Sequence, residues 1–483
     1  MNRSIRRNYV FATGYQIFSI CVPLITTPYV SRVLRPEGIG AISYTAAIFS
    51  YILLFGTLGV NAYAMRQVAF LRENKKQTTD FFGEILSVKL LIIIPALLSL
   101  GVISFVLREY RMLLLVHVID LLGSVIGIDW LYHGFEDFAI TTKRNFVVKM
   151  IGIVCVFLFV KDKNDAVIYV LIQSVSSIAG AVVMWFGIKR YIDRAYVSLK
   201  NFRRHYSGIL SLFLVQISGS VYMYLDKIMI GTMTDIVAEN GYYEQAQKII
   251  NLSTTIITSL STVLQPRISN AFISSDTKGI SHYMEKSLHF VLFLGTPMTL
   301  GLIACSSNLV PWFLGKDFLK SQELLYICAP IIIIHSIYNV FGYQYLLGTK
   351  QDRVMTLTIL GGSGCNVVLN ALFIPRMLSV GASIASVAAE FVVMLLQILY
   401  VRKQIAIPSI KGYALKCLAA GVVMFVVVVG IGWKLSSGFL QTMGLISVGA
   451  GVYFWMMFFF KNDFVMEMVD RIKTGTRNVF GKN

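Results

Sequence analysis

The chain has 483 residues, 56% of them hydrophobic and only 14% charged, with a mean hydropathy of +0.69 and a formal net charge of +18. So little charge excludes an ordinary soluble multidomain enzyme. On a soluble protein the positive excess would point to nucleic acid; here basic loops that stay untranslocated beside membrane spans account for it, and no nucleic-acid partner is expected.

Apolar stretches of ~20 residues recur along the chain, the length at which a helix crosses hydrocarbon while satisfying its own backbone. They predict an all-α polytopic membrane protein with about fourteen transmembrane helices, near residues 9–31, 39–63, 84–106, 112–134, 145–160, 166–188, 208–232, 249–272, 287–308, 324–347, 354–374, 380–401, 412–433 and 439–460. With the N-terminus inside, Lys and Arg in cytoplasmic segments outnumber external ones more than twofold. That bias places both termini in the cytoplasm.

The N-terminal residues Met1 to Asn8, with Arg3, Arg6 and Arg7, look like the basic flank of a signal peptide. The apolar stretch that follows has no small-residue cleavage site, so a retained first helix is expected. Pro23 and Pro28 within it each remove a helical hydrogen bond and mark the expected hinge. Pro95, Pro297 and Pro330 do the same in the third, ninth and tenth spans. Arg32 closes the first span and Arg66 follows the second; Lys89 lies in the third and Lys149 in the fifth, at depths close to Arg66 and Arg144. Arg66 and Arg144 read as side chains that reach the interface, Lys149 as a deeper one.

The fourth span carries His117, Asp120 and Asp129. On one continuous helix, Asp120 and Asp129 are two and a half turns apart and face opposite sides, so only one would look into a given cavity. Beyond the basic connector Lys189 to Ser207, Asp226 and Lys227 lie in the outer part of the seventh span; His335 is mid-way along the tenth and Glu390 mid-way along the twelfth. A charge at mid-membrane costs about 2.5–3.5 kcal/mol, so those that remain face a partner or a watery cavity. Buried carboxylates and imidazoles bind protons or cations, which makes Asp120, Asp129, Asp226, Glu390 and His335 ion-coupling candidates.

The connector divides the chain into a six-helix bundle at 1–190, a basic cytoplasmic linker at 191–207, a second six-helix bundle at 208–403, two further transmembrane helices at 404–461 and a cytoplasmic tail at 462–483. Such a division suggests repeats that rock against one another. A faint internal similarity supports it: GAISYTA from Gly40 follows the first span as GYYEQA from Gly241 follows the seventh. The cysteines, Cys21, Cys155, Cys305, Cys328, Cys365 and Cys417, lie in or at the ends of apolar spans without a C-x-x-C pair and read as small buried residues. The sequence contains no phosphate-binding G-x-x-x-x-G-K-[ST], no H-E-x-x-H and no G-x-S-x-G. No resident cofactor or metal is expected.

Three segments, PLITTPYVSRVLRPEGIGAISY from Pro23, IDWLYHGFEDFAITTKRNFVVK from Ile128 and VYMYLDKIMIG from Val221, resemble the Wzx family of O-antigen and polysaccharide flippases. The family's usual pattern has Gly where this chain has Arg35. The resemblance implies a bacterial inner-membrane secondary transporter that carries an undecaprenyl-pyrophosphate-linked oligosaccharide between leaflets by alternating access. A coupling proton or Na+, membrane lipids and the polysaccharide polymerase and chain-length regulator would be its partners. It makes Arg32, Arg66, Lys89, Lys149 and Lys227 the candidates for the pyrophosphate headgroup, since a diphosphate needs cations to cross hydrocarbon. Two alternatives stand beside it. A multidrug or sodium-coupled exporter of the same superfamily would favour a cavity dominated by acids, and a membrane polymerase or glycosyltransferase would need a sizeable extramembrane loop.

Overall fold

The computed structural model describes residues 3–196, 202–405, 410–462 and 465–466, and regular structure among them is helical. The chain divides into two compact units, Met1–Gly241 and Tyr242–Asn483. Helix Phe202–Met233, which follows the basic connector, thus packs with the first unit.

The first unit opens with α1 (Arg3–Thr57), which runs through Pro23 and Pro28 and is broken instead at Arg35, at φ 59° and ψ 175°. Pro36 is the cause: its ring disfavours the helical region for the residue before it. The break separates the first two spans where the sequence places the gap between them. After Leu58 and Gly59, both at positive φ, come α2 (Val60–Leu71) and α3 (Lys75–Val106), the latter capped by Asn74, whose Oδ1 accepts from the Gln77 amide at 3.1 Å.

The fourth span is two helices, α4 (Arg111–Ile126) and α5 (Asp129–Gly134), separated by extended backbone at Gly127. The expectation that Asp120 and Asp129 share one helical phase is corrected by this break. Trp130, Leu131 and Tyr132 anchor α5 in an aromatic core with Tyr63, Phe82 and Tyr191. The unit continues through α6 (Phe138–Phe159), α7 (Ala166–Val183) and α8 (Phe202–Met233). Gly40 lies against the carbonyl of Val237 and the amide of Gly241, while Gly241 lies against the carbonyl of Pro36. The two glycines singled out by internal similarity therefore meet at one backbone crossing.

From Ala238 the chain enters α9 (Ala238–Thr258), and the second unit continues with α10 (Ser261–Ile273) and the long α11 (Thr277–Phe313). Next come α12 (Leu319–Cys328) and α13 (Ile331–Asn339), which passes into a π-helical turn at Val340–Leu346. In α14 (Asp352–Val401) the helix is broken at Leu378, at φ 56°. The last pair, α15 (Lys411–Gly432) and α16 (Phe439–Phe459), packs on α11 through Cys417, Ala420, Met424 and Tyr453.

Eight segments among the described residues are long and apolar enough to cross a membrane, or nine if the pair Lys316–Cys328 and Ile331–Leu346, bent by 47°, is one span. Two of the eight, Cys21–Leu71 and Asp352–Val401, have 51 and 50 residues, more than twice the ~20 a bilayer needs. Each contains one of the breaks, at Arg35 and Leu378. Side chains such as Leu98, Phe105, Leu440 and Trp455 project outward from these helices, as lipid solvation requires.

Candidate functional site

The break between α4 and α5 opens a cavity of about 670 Å³ inside the first unit. Its wall is made by α1, α2, α4 to α7, and its polar residues include Asn61, Asp129, His133, Arg144, Lys149 and Gln173. Because Trp130, Leu131 and Tyr132 are held in the core, α5 turns Asp129 and His133, one helical turn apart, toward the cavity. Along α6 the lining residues Arg144, Val148, Gly152 and Val156 recur every four positions, with Asn145, Lys149 and Ile153 beside them. That is the stripe one face of a helix presents.

Arg144 runs over Gly180 of α7 and reaches back to α5. Its Nη2 lies 2.9 Å from each carboxylate oxygen of Asp129 and donates a hydrogen bond to Oδ2. The partners differ in setting: the Arg144 side chain is 9% exposed and that of Asp129 43%. Among the described residues nothing accepts from Arg144 Nε, which is buried. Lys149 Nζ lies 3.4 Å from Ser19 Oγ of α1 and donates to it. Among the described residues, the cavity thus presents two cations, Arg144 and Lys149, against one carboxylate, Asp129.

Of the candidates read from sequence, the structure brings Asp129 and Lys149 together in this cavity. Lys89 is buried beside it, with Nζ donating to the Gly127 carbonyl at 2.7 Å. Asp120 is held elsewhere: its Oδ2 lies 2.9 Å from His117 Nδ1 and accepts from Ser174 Oγ at 2.6 Å, while His117 stacks on Phe49. Arg32 and Arg66 are exposed outside the cavity; Asp226 is buried and Lys227 half-buried on α8. In the second unit His335 Nδ1 lies 3.2 Å from Glu390 Oε1, and Glu390 Oε2 is buried without a hydrogen-bond partner among the described residues. Gln173 of α7 lines the cavity as well, whereas the side chains of Gln16 and Gln216 lie outside the described set.

Arg144 is the residue that sequence reasoning missed, because an arginine near a span end reads as interfacial. The available signal was Asp129, an acid at the matching end of the preceding span, joined to Arg144 by a short connector.

Residues 5–272 match the family model described as "Polysaccharide biosynthesis protein", and residues 211–372 match the one described as "MatE". A protein of Escherichia coli (strain K12) named "Putative O-antigen transporter" is 25% identical over 404 residues, 83% of this chain and 97% of that protein. Among solved structures, the lipid II flippase MurJ in an inward closed conformation superposes with a TM-score of 0.74 at 17% identity, covering 95% of this chain and 100% of that one. An inward-facing multidrug resistance MATE family transporter of the MOP superfamily gives 0.63 at 13% identity, covering 79% and 94%. The first match spans more than half of the residues, so the chain belongs to the polysaccharide biosynthesis protein family. It is a multi-pass membrane protein with the fold that the MurJ and MATE structures share.

Proposed function

We propose that this member of the polysaccharide biosynthesis protein family flips an undecaprenyl-pyrophosphate-linked oligosaccharide repeat unit from the cytoplasmic to the periplasmic leaflet of a bacterial inner membrane, for O-antigen or a related polysaccharide. The observation that carries the reading is the cavity of the first unit, where Arg144 and Lys149 outweigh Asp129 inside an apolar bundle. A diphosphate cannot enter hydrocarbon uncompensated, and paired cations in a cavity supply the compensation. A volume of about 670 Å³ falls within the range of small-ligand pockets, ~300–1,000 Å³. Asn61 and Gln173 supply hydrogen-bonding groups to the first sugar.

In this reading the eight apolar segments, divided at Arg35 and Leu378 and joined by the bent pair, make eleven spans, and α6, α8 and α9 with α10 bring them to fourteen; they form bundles at 1–190 and 208–403 joined by the linker 191–207, with α8 packed on the first and both termini cytoplasmic. The bundles alternate access by rocking, with Pro23 and Pro28 as hinge, while the helices within 404–461 leave the polyprenyl tail in lipid. Arg32, Arg66 and Lys227, off this cavity, meet the diphosphate at other stages of the cycle; Lys89, engaged with Gly127, supports the cavity wall. The coupling ion, a proton or Na+, acts at His335–Glu390.

Purified protein in liposomes, offered a lipid-linked oligosaccharide on one leaflet and separately an organic cation, tests this. Transfer of the oligosaccharide without the cation is expected. Transport of the cation alone would establish the multidrug reading instead.

A further inference from the structure

We infer that Asp129 is an exchangeable counter-anion for Arg144: the substrate diphosphate displaces the carboxylate on binding, and the carboxylate takes the guanidinium back on release. The inference rests on the reading of this cavity as a diphosphate site. Three observations carry it.

The first is asymmetry of burial. The Arg144 side chain is 9% exposed and Asp129 43%, and Asp129 Oδ1 is buried without a hydrogen-bond partner among the described residues, so turning into the cavity frees an oxygen that the pair leaves unsatisfied, whereas the guanidinium cannot leave. A buried cation without any partner is strongly disfavoured. Between transport events, something must hold its charge, and Asp129 is in place to do so at 2.9 Å.

The second is an unfilled donor. Nε and Nη2 form one edge of the guanidinium, spaced for two oxygens of a phosphate. Asp129 takes Nη2 of that edge, and among the described residues Nε is left buried without an acceptor. A phosphate on the edge satisfies both donors, so it competes for Arg144 on better terms than the resident carboxylate. The third is placement: Arg144, Asp129 and Lys149 line the same cavity. A phosphate at Arg144 therefore has a second cation within the same wall.

The exchange has a consequence for turnover. If Arg144 stood alone, departure of the diphosphate would leave a bare buried cation, and release would be slow. With Asp129 returning, departure is compensated. Asp129 thus weakens binding and quickens release, opposite in sign to a residue that merely holds the fold.

The test uses the full chain in nanodiscs, with inorganic pyrophosphate as probe and calorimetry as readout, alongside flux of a lipid-linked oligosaccharide in liposomes. Asp129→Asn is expected to tighten pyrophosphate binding by about tenfold and Arg144→Gln to weaken it by about tenfold, the scale of one charge-assisted hydrogen bond. The double variant should match Arg144→Gln, and Asp129→Asn should transport more slowly at saturating substrate despite its tighter binding. Weaker or unchanged binding in Asp129→Asn, with Arg144→Gln still impaired, overturns the exchange and leaves the diphosphate site standing. A wild-type protein that binds no pyrophosphate, with Arg144→Gln transporting normally, removes the diphosphate reading itself. Should Asp129→Asn fail to fold, wild-type protein labelled with a water-soluble carbodiimide decides: pyrophosphate should raise modification of Asp129, and unchanged or lowered modification overturns the exchange.

Discussion

Lys89 Nζ donates to the Gly127 carbonyl at 2.7 Å, tying the middle of α3 to the gap between α4 and α5. Gly127 follows the last turn of α4, where helix carbonyls lack partners. The buried ammonium satisfies one of them, and so braces the break from which Asp129 projects. Lys89→Met should therefore cost about 1–3 kcal/mol of stability, the penalty for an unsatisfied buried acceptor. Thermal unfolding in detergent measures the loss, and the fraction that remains folded should bind pyrophosphate as the wild type does. An affinity loss without a stability loss would instead place Lys89 on the headgroup.

Lys149 lines the cavity, and its Nζ donates to Ser19 Oγ at 3.4 Å. Lys149→Ala should cut oligosaccharide transfer by about tenfold or more, whereas Lys149→Arg, which keeps the charge, should retain most of it. Leaflet-resolved labelling of the lipid-linked sugar in cells, at matched protein levels, reads both. Normal export by Lys149→Ala would argue against a charge role.

Arg35 occupies a region of backbone space, φ 59° and ψ 175°, that favours glycine. Such strain costs about 1–3 kcal/mol, while glycine returns roughly 0.5–1 kcal/mol through the greater freedom of the unfolded chain. Arg35→Gly should accordingly stabilise the protein by about 1 kcal/mol, seen as a higher melting midpoint. A lower midpoint would mean that contacts of the Arg35 side chain outweigh the strain.

At the crossing of Gly40 and Gly241, a methyl group on Gly40 would run into the carbonyl of Val237. A backbone atom cannot rotate aside as a side chain can, so the helices must separate. Gly40→Ala should lower stability by about 1–3 kcal/mol, the usual cost of overpacking. The melting midpoint and the yield of monodisperse protein report it, and an unchanged midpoint would show that the crossing has slack.

Glu390 is 5% exposed and paired with His335, with one carboxylate oxygen unfilled among the described residues. Glu390→Gln preserves volume and removes the ionisable group. Flux should then lose its acceleration by an imposed ion gradient while pyrophosphate binding persists. A gradient response equal to that of the wild type would exclude this pair from coupling.

The amino-acid sequence by itself determined the class of molecule, because ~20-residue apolar stretches leave a chain no soluble way to hide its backbone or its side chains. It also listed Asp129 among its ionisable candidates and Lys149 as a deep cation, and Pro36 explains why α1 breaks where it does. Only the tertiary structure decided which charges meet. The gap at Gly127 and Ile128 resets the rotation of α5 relative to α4, so helical periodicity counted from Asp120 carries no information about Asp129. Arg144 shows the same thing from the other side: a long side chain near a span end can reach interface or interior, and the packing of α6 over Gly180 and against α5 sends it inward. Burial chemistry is local and can be read along a chain, whereas the pairing of a guanidinium with a carboxylate on another helix depends on how those helices are rotated and packed.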